Sequence, residues 1–215
     1  MMNLFSTFDP CTGLMSMNWL SMLMFTLMLP YKFWTTNNTI QMLIKKTNTK
    51  LHNEMKSLMP YKGSTMLFLM LFNLILMNNM MGLMPYIFTS TSHLATSMSM
   101  ALPMWTAMML YGWTKKTNKM MEHLVPIGTP NMLMPFMIII ETTSNIIRPI
   151  SLMVRLTANM IAGHLLMSLL GNNTTPMLMM TTMMIFMALM TFEMAVAMIQ
   201  SYVFMTLMTL YSSEI

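Results

Sequence analysis

The chain has 215 residues, of which 55% are hydrophobic and only 8% charged, with a mean hydropathy of +0.58. Soluble domains carry roughly a quarter charged residues, so this chain lacks the groups to cover a water-facing surface, and a polytopic all-α membrane protein is the class that fits. The net charge of +5 sits mainly in two Lys-rich stretches that have no groove-reading or stacking elements beside them, which disfavours nucleic acid and favours membrane topology.

The N-terminal stretch before Leu14 holds Asp9 and Pro10 but no Lys or Arg, so it matches neither a signal peptide nor a transit peptide. The lone Cys11 excludes an internal disulfide and a multi-thiolate metal site. A first apolar run covers Gly13–Leu29. A polar stretch with Lys32, Lys45, Lys46, Lys50, Lys56 and Lys62 follows, and within it Ile40–Met59 mixes apolar with Lys and Asn residues, as an amphipathic surface helix would. Thr65–Phe88 and Ala95–Trp113 are two further runs near the ~20 residues of a spanning helix. The link Thr89–Leu94 has no Lys or Arg, whereas Lys115, Lys116 and Lys119 follow the third run. The positive-inside rule then predicts that the N-terminus and the short link are outside and both basic stretches inside.

From Met132 to about Leu170 the chain reads as one apolar helix, and from Met177 to about Leu210 as another, separated by the turn signal Gly171–Pro176. Such helices would be about 58 and 51 Å long, against a hydrocarbon core of about 30 Å. No polar loop for an extra crossing follows Pro149, so two long, tilted, antiparallel helices are expected. The predicted architecture is therefore three conventional spans, a surface amphipathic helix and this long hairpin. It forms one membrane domain, with spans and loops in 1–130 and the hairpin in 131–215.

The hairpin contains Glu141, Arg148, Arg155, Asn159, His164, Glu193 and Gln200. Ionisable groups at membrane depth cost from about 3 kcal/mol upward and are normally paired or functional. Glu141, Arg148 and Arg155 repeat at seven residues, a step that drifts only about 20° around a helix. Ser144, Ser151, Ala158, Asn159 and Ala162 lie near the same stripe, and small residues let another helix approach. Glu141 is about 21 Å along the helix from Arg155, so the natural partner of Arg155 is an acid on another chain. His164 points roughly half a turn away from Arg155, and Glu193 shares a face with Gln200. Two polar tracks that do not coincide, with a cation between them, would pass protons only by way of a moving carrier.

The segment Val154-Arg155-Leu156-Thr157-Ala158-Asn159-Met160-Ile161-Ala162-Gly163-His164-Leu165-Leu166 resembles the signature of subunit a of mitochondrial F-type ATP synthases. Glu193-Met194-Ala195-Val196-Ala197-Met198-Ile199-Gln200-Ser201-Tyr202-Val203-Phe204 is similar to that family's last-helix motif, and Met81–Tyr86, Pro103–Trp105 and Asn3–Pro10 extend the likeness. The resemblance implies a proton-translocating stator beside a rotating proteolipid c-ring, with peripheral-stalk and other membrane subunits as further partners. It implies that Arg155 faces the ring carboxylate and that His164 and Glu193 line the half-channel from the intermembrane space. Glu141 would lie in the matrix half-channel, and Asn159 and Gln200 would orient Arg155. Bacterial members carry acid and imidazole in the reverse positions to His164 and Glu193, so that pair would act as a unit. No cofactor or metal is implied, and a mitochondrial inner-membrane location is. The 40 methionines fit codon bias in an AT-rich organellar genome with an extra Met codon.

Blander readings stand beside these. Arg155 could be a cation snorkelling to an interface, Glu141 a partner of Arg148, His164 a hydrogen-bonded structural histidine and Glu193 a neutral buried acid. Asn78 and Asn79 are expected to make interhelical hydrogen bonds, Trp105 and Trp113 to pack between helices, and His52, His93 and His123 to be solvated loop residues. No GxxxxGK[ST] phosphate loop is present, so ATP chemistry would belong to partner subunits. A proton-pumping subunit of a respiratory complex is one rival, although such subunits bury Lys in central helices and every Lys here is expected in a loop. A membrane-anchoring subunit is the other.

Overall fold

A computed structural model describes residues 4–11, 16–23, 26, 34, 36, 38–59, 63–125, 128–172 and 179–214. Among them every regular element is helical. Six α-helices are α1 (Thr39–Leu58), α2 (Ser64–Gly82), α3 (Leu94–Lys115), α4 (Thr117–Leu124), α5 (Met134–Asn172) and α6 (Met179–Glu214). Short 3-10 helices cover Leu4–Phe8, Met17–Leu23 and Ser90–Ser92. Both ends of the predicted first run, the turn from Asn173 to Pro176, Lys32 and Lys62 lie outside the described residues; Met17–Leu23 of that run is a 3-10 helix.

Three helices, α2, α5 and α6, are long and apolar enough to cross a membrane. In such surroundings a hydroxyl must find its partner inside the helix. Thr142, Thr143, Ser144, Ser151, Ser168, Thr191, Ser201 and Thr209 do so, each donating to the carbonyl three residues earlier at 2.7–3.0 Å. Helix α3 has the length, at 22 residues. Thr96, Ser97, Ser99 and Thr106 lower its apolarity.

α2 stops at Gly82, short of the Phe88 at which the predicted run ended. Pro85 cannot continue a helix, and Gly82 is a point of close approach: a Cβ there would stand 3.1 Å from Thr89 Cγ2 and 3.3 Å from Met160 Cε. The chain then turns through Tyr86, at φ 66°, into the buried hydroxyl run Thr89–Ser92.

Lysines depart from expectation. Lys45, Lys46, Lys50 and Lys56 lie on α1, Lys115 ends α3 and Lys119 is on α4, so only Lys116, between α3 and α4, remains in a link among the described lysines. α1 is polar, α4 is short, and Lys115 is the last residue of α3, so the charges still keep out of the interiors of the apolar helices. α1 begins where the Asn38 N–H donates to Gln41 Oε1 (3.2 Å), satisfying a donor that no turn of helix could. Similarly, His52 is on α1 and His123 on α4, while His93 precedes α3 with its ring 5.2 Å from both Trp19 and Phe88. Local helix-forming residues between the basic ones, Met120 and Met121 among them, were too few to announce α4.

α6 packs against α2 and α5, and α3 against α5. The shared core brings Met55 of α1, Phe68 and Ile75 of α2, Leu152 and Leu156 of α5 and Phe204 and Met208 of α6 together. Phe204 is 1% exposed, and replacing it by Ala should cost about 3–5 kcal/mol through the lost ring and the cavity left. The expected outcome is a clearly lower midpoint for heat-induced loss of the detergent-solubilised complex, whereas the exposed Phe192→Ala should leave the midpoint unchanged.

Candidate functional site

The ionisable groups of α5 and α6 meet in three rungs. Arg148 forms an ion pair with Glu214, Asn159 Nδ2 donates to Gln200 Oε1 at 3.0 Å, and Gly163 lies against the carboxylate of Glu193. Advancing along α5 thus means retreating along α6, so the two helices are antiparallel. Glu193 and Gln200 are both buried, as their seven-residue spacing suggested.

The third rung is the tightest. A Cβ added at Gly163 would overlap the carboxylate carbon and both oxygens of Glu193. Only a residue without a side chain lets that carboxylate reach α5, one position from His164. Such a contact is a reason for glycine that has nothing to do with backbone dihedrals.

His164 itself opens toward a cavity of about 550 Å³. Its wall includes Asp9, Asn18, Tyr86, His164 and Ser168. The Phe8 ring meets the imidazole edge-on at 6.2 Å, and His164 Nε2 is buried without a hydrogen-bond partner among the described residues. Glu193 does not itself line this cavity, so the expected pair is only partly assembled there.

A second cavity, about 410 Å³, lies toward the other end of α5 and is lined by Glu141, Asn145, Arg148, His123 and Glu214. Arg148 is its hub. Its guanidinium is 3.9 Å from Glu141 Oε1, is paired with Glu214, and stands 5.0 Å from the Tyr211 ring centroid. Glu141 therefore has the intrahelical partner that spacing allowed as well as a cavity wall. The sequence reading missed Glu214, although seven-residue steps from Glu193 through Gln200 reach it.

Arg155 lies between the cavities, about 13 Å from His164 and about 10 Å from Arg148 along the helix. It is exposed and has no hydrogen bond or ion pair among the described residues. Ala158 and Ala162 continue its exposed face, leaving room for a close neighbour. Asn159 is bonded to Gln200, but neither is bonded to Arg155. The predicted interhelical bonds of Asn78 and Asn79 are not all formed: Asn78 Nδ2 and both polar atoms of Asn79 are buried without a protein partner among the described residues. Both side chains are buried on α2, at 5% and 0% exposure. No cluster of potential metal ligands occurs among the described residues.

Fold and site together define an all-helical membrane protein whose two longest helices carry an ionisable seam. A sequence model described as the ATP synthase A chain matches residues 14–213. The chain is 55% identical to ATP synthase subunit a of Locusta migratoria over 225 residues, covering 100% of this chain and 99% of that protein. It is 53% identical to the protein of the same name from Anopheles quadrimaculatus, and 54% identical to that from Drosophila melanogaster, with the same coverage. The chain belongs to the ATP synthase A chain family.

One titration follows directly from the N-terminal geometry. The Cys11 thiol, outside the spans, is pushed up by its hydrogen bond to Asp9 and by that carboxylate's charge. A raised thiol has less thiolate at neutral pH and reacts more slowly. Maleimide labelling of Cys11 should therefore accelerate in Asp9→Asn and its rate profile should move to lower pH, with the other cysteines of the complex subtracted by a Cys11→Ser control.

Proposed function

We propose that this chain is the proton-translocating stator of a mitochondrial F-type ATP synthase. Protons pass through two offset half-channels to and from the carboxylates of a rotating c-ring, while partner subunits carry out ATP chemistry. The observation that carries this reading is Arg155: an exposed guanidinium midway along an apolar helix, unpaired among the described residues, between two separate polar cavities. A cation so placed needs an anion from outside the chain. A ring carboxylate arriving there would be held ionised by Coulomb attraction, and would have to be protonated again before returning to lipid.

In this arrangement the cavity beside His164, with Glu193 behind Gly163, is the half-channel from the intermembrane space. The cavity beside Glu141 is the matrix half-channel. Asn159 and Gln200 brace each other across the hairpin and hold the α5 backbone on which Arg155 sits. The N-terminus faces the intermembrane space and the Lys-rich segments face the matrix of the inner membrane. α1 lies on the matrix surface, and α5 and α6, at 39 and 36 residues, tilt to fit the bilayer. Neighbours are the c-ring, the peripheral stalk, other membrane subunits and lipid.

Arg155→Ala should lower proton-coupled ATP synthesis by about two orders of magnitude or more while the complex still assembles on a native gel. Undiminished synthesis in that variant would sink the proposal and favour an anchoring role. Gly163→Ala should displace the Glu193 carboxylate and cut ATP-driven proton pumping about tenfold or more. A variant with normal pumping would show that Glu193 does not need its observed position.

A further inference from the structure

We propose that Asp9 is the outermost proton-collecting group of the path, taking protons from the aqueous side and releasing them through the cavity to His164. This rests on the half-channel assignment above. It adds a residue outside the long hairpin, and so outside the groups that the seam of α5 and α6 supplies.

Three observations place Asp9 in this role. It is exposed to solvent and also lines the 550 Å³ cavity that His164 faces. It is the only Asp or Glu in the described wall of that cavity, and no Lys or Arg lines it to neutralise the charge. Its chain neighbour Phe8 is already edge-on to the imidazole at 6.2 Å, and adjacent Cα atoms are only about 3.8 Å apart. The imidazole Nε2 is buried and unpartnered among the described residues, so the inner end of the cavity offers a group that can accept or donate a proton. At about 30 Å³ per water molecule the cavity has room for a hydrogen-bonded file.

The position of Asp9 is fixed rather than incidental. Its N–H donates to the Ser6 carbonyl (3.3 Å), its own carbonyl accepts from Asn18 Nδ2 (3.3 Å), and its Oδ1 accepts the Cys11 N–H (3.2 Å). An exposed carboxylate on the wall of a cavity concentrates protons and raises their rate of delivery. The step is a simple transfer: hydronium protonates the carboxylate, and the carboxylic acid gives the proton to cavity water, which passes it to imidazole. The other titratable groups at hand are Tyr86 in the wall, Cys11 bonded to Asp9, and His93 behind Phe88.

The Oδ1 contact is also an Asx-turn, which predicts a purely structural role. Asp9→Asn keeps the turn acceptor and removes the titrating group, so the two roles separate. ATP synthesis by the intact complex in membranes would be followed at fixed driving force while the pH on the N-terminal side is varied. Proton collection predicts a rate about three- to tenfold lower in Asp9→Asn on the alkaline side, where supply is scarce, converging with the unmodified complex at acidic pH. Asp9→Glu should restore the alkaline rate. An unchanged profile, or an equal loss at every pH, would overturn the inference. Were Asp9→Asn not to assemble, attaching a cationic methanethiosulfonate to Cys11 in the assembled complex should depress the alkaline rate, an anionic one should not, and equal effects would overturn it. Arg155→Ala measured alongside separates the failures. Activity surviving in that variant refutes the stator reading, whereas its loss beside a neutral Asp9→Asn refutes only the role of Asp9.

Discussion

A guanidinium midway along an apolar helix, with no carboxylate partner among the described residues, is costly to place in lipid, and the other features make sense around it. Arg155 projects from the middle of a 39-residue helix. Arg148, one heptad away, is neutralised by Glu141, Glu214 and the Tyr211 ring. Two arginines on one stripe thus differ: Arg148 is paired within its own chain, whereas Arg155 has no ion pair among the described residues. The small residues beside Arg155 leave room for a close neighbour on this face, and Val154 and Leu166 are exposed on the same helix.

The helix that bears this cation is braced against α6. The rungs at Arg148–Glu214 and Asn159–Gln200 fix α5 to α6 by polar contacts, and the close approach of Gly163 to the Glu193 carboxylate adds a steric one. Leu152, Leu156 and Phe204 add apolar contact between them. Polar rungs specify register, since a slip of one residue would leave several buried groups without partners. Apolar contact alone would hold the helices together but leave their sliding weakly opposed.

Much of this was legible in the sequence because the membrane imposes long apolar segments and makes each charge conspicuous. Helices α3, α5 and α6 fell within a few residues of their predicted limits, α2 started where expected but ended early at Gly82, and the heptad step linked Glu141 to Arg148. Contacts between distant segments were less legible. Nothing in a helical wheel says that Glu193 needs a glycine on the facing helix, that Phe8 rests on His164, or that Arg148 closes on Glu214. Polar stretches were mixed: Ile40–Met59 read as helical and is helical over Thr39–Leu58, whereas the helix carrying Lys119 was not foreseen, its composition resembling a loop apart from the buried Met120.

The methionines give the molecule a chemical gradient from rim to centre. Met180, Met184 and Met187 stand 84%, 76% and 64% exposed, whereas Met205 and Met208 are at 2% and 0%. A thioether that gains one oxygen becomes a polar sulfoxide, tolerable on an outer face and disruptive inside a core. A peroxide diffusing in from the surroundings meets the outer thioethers first. Oxidation would therefore fall first on the exposed methionines of α6 and last on Met205 and Met208 in the shared core.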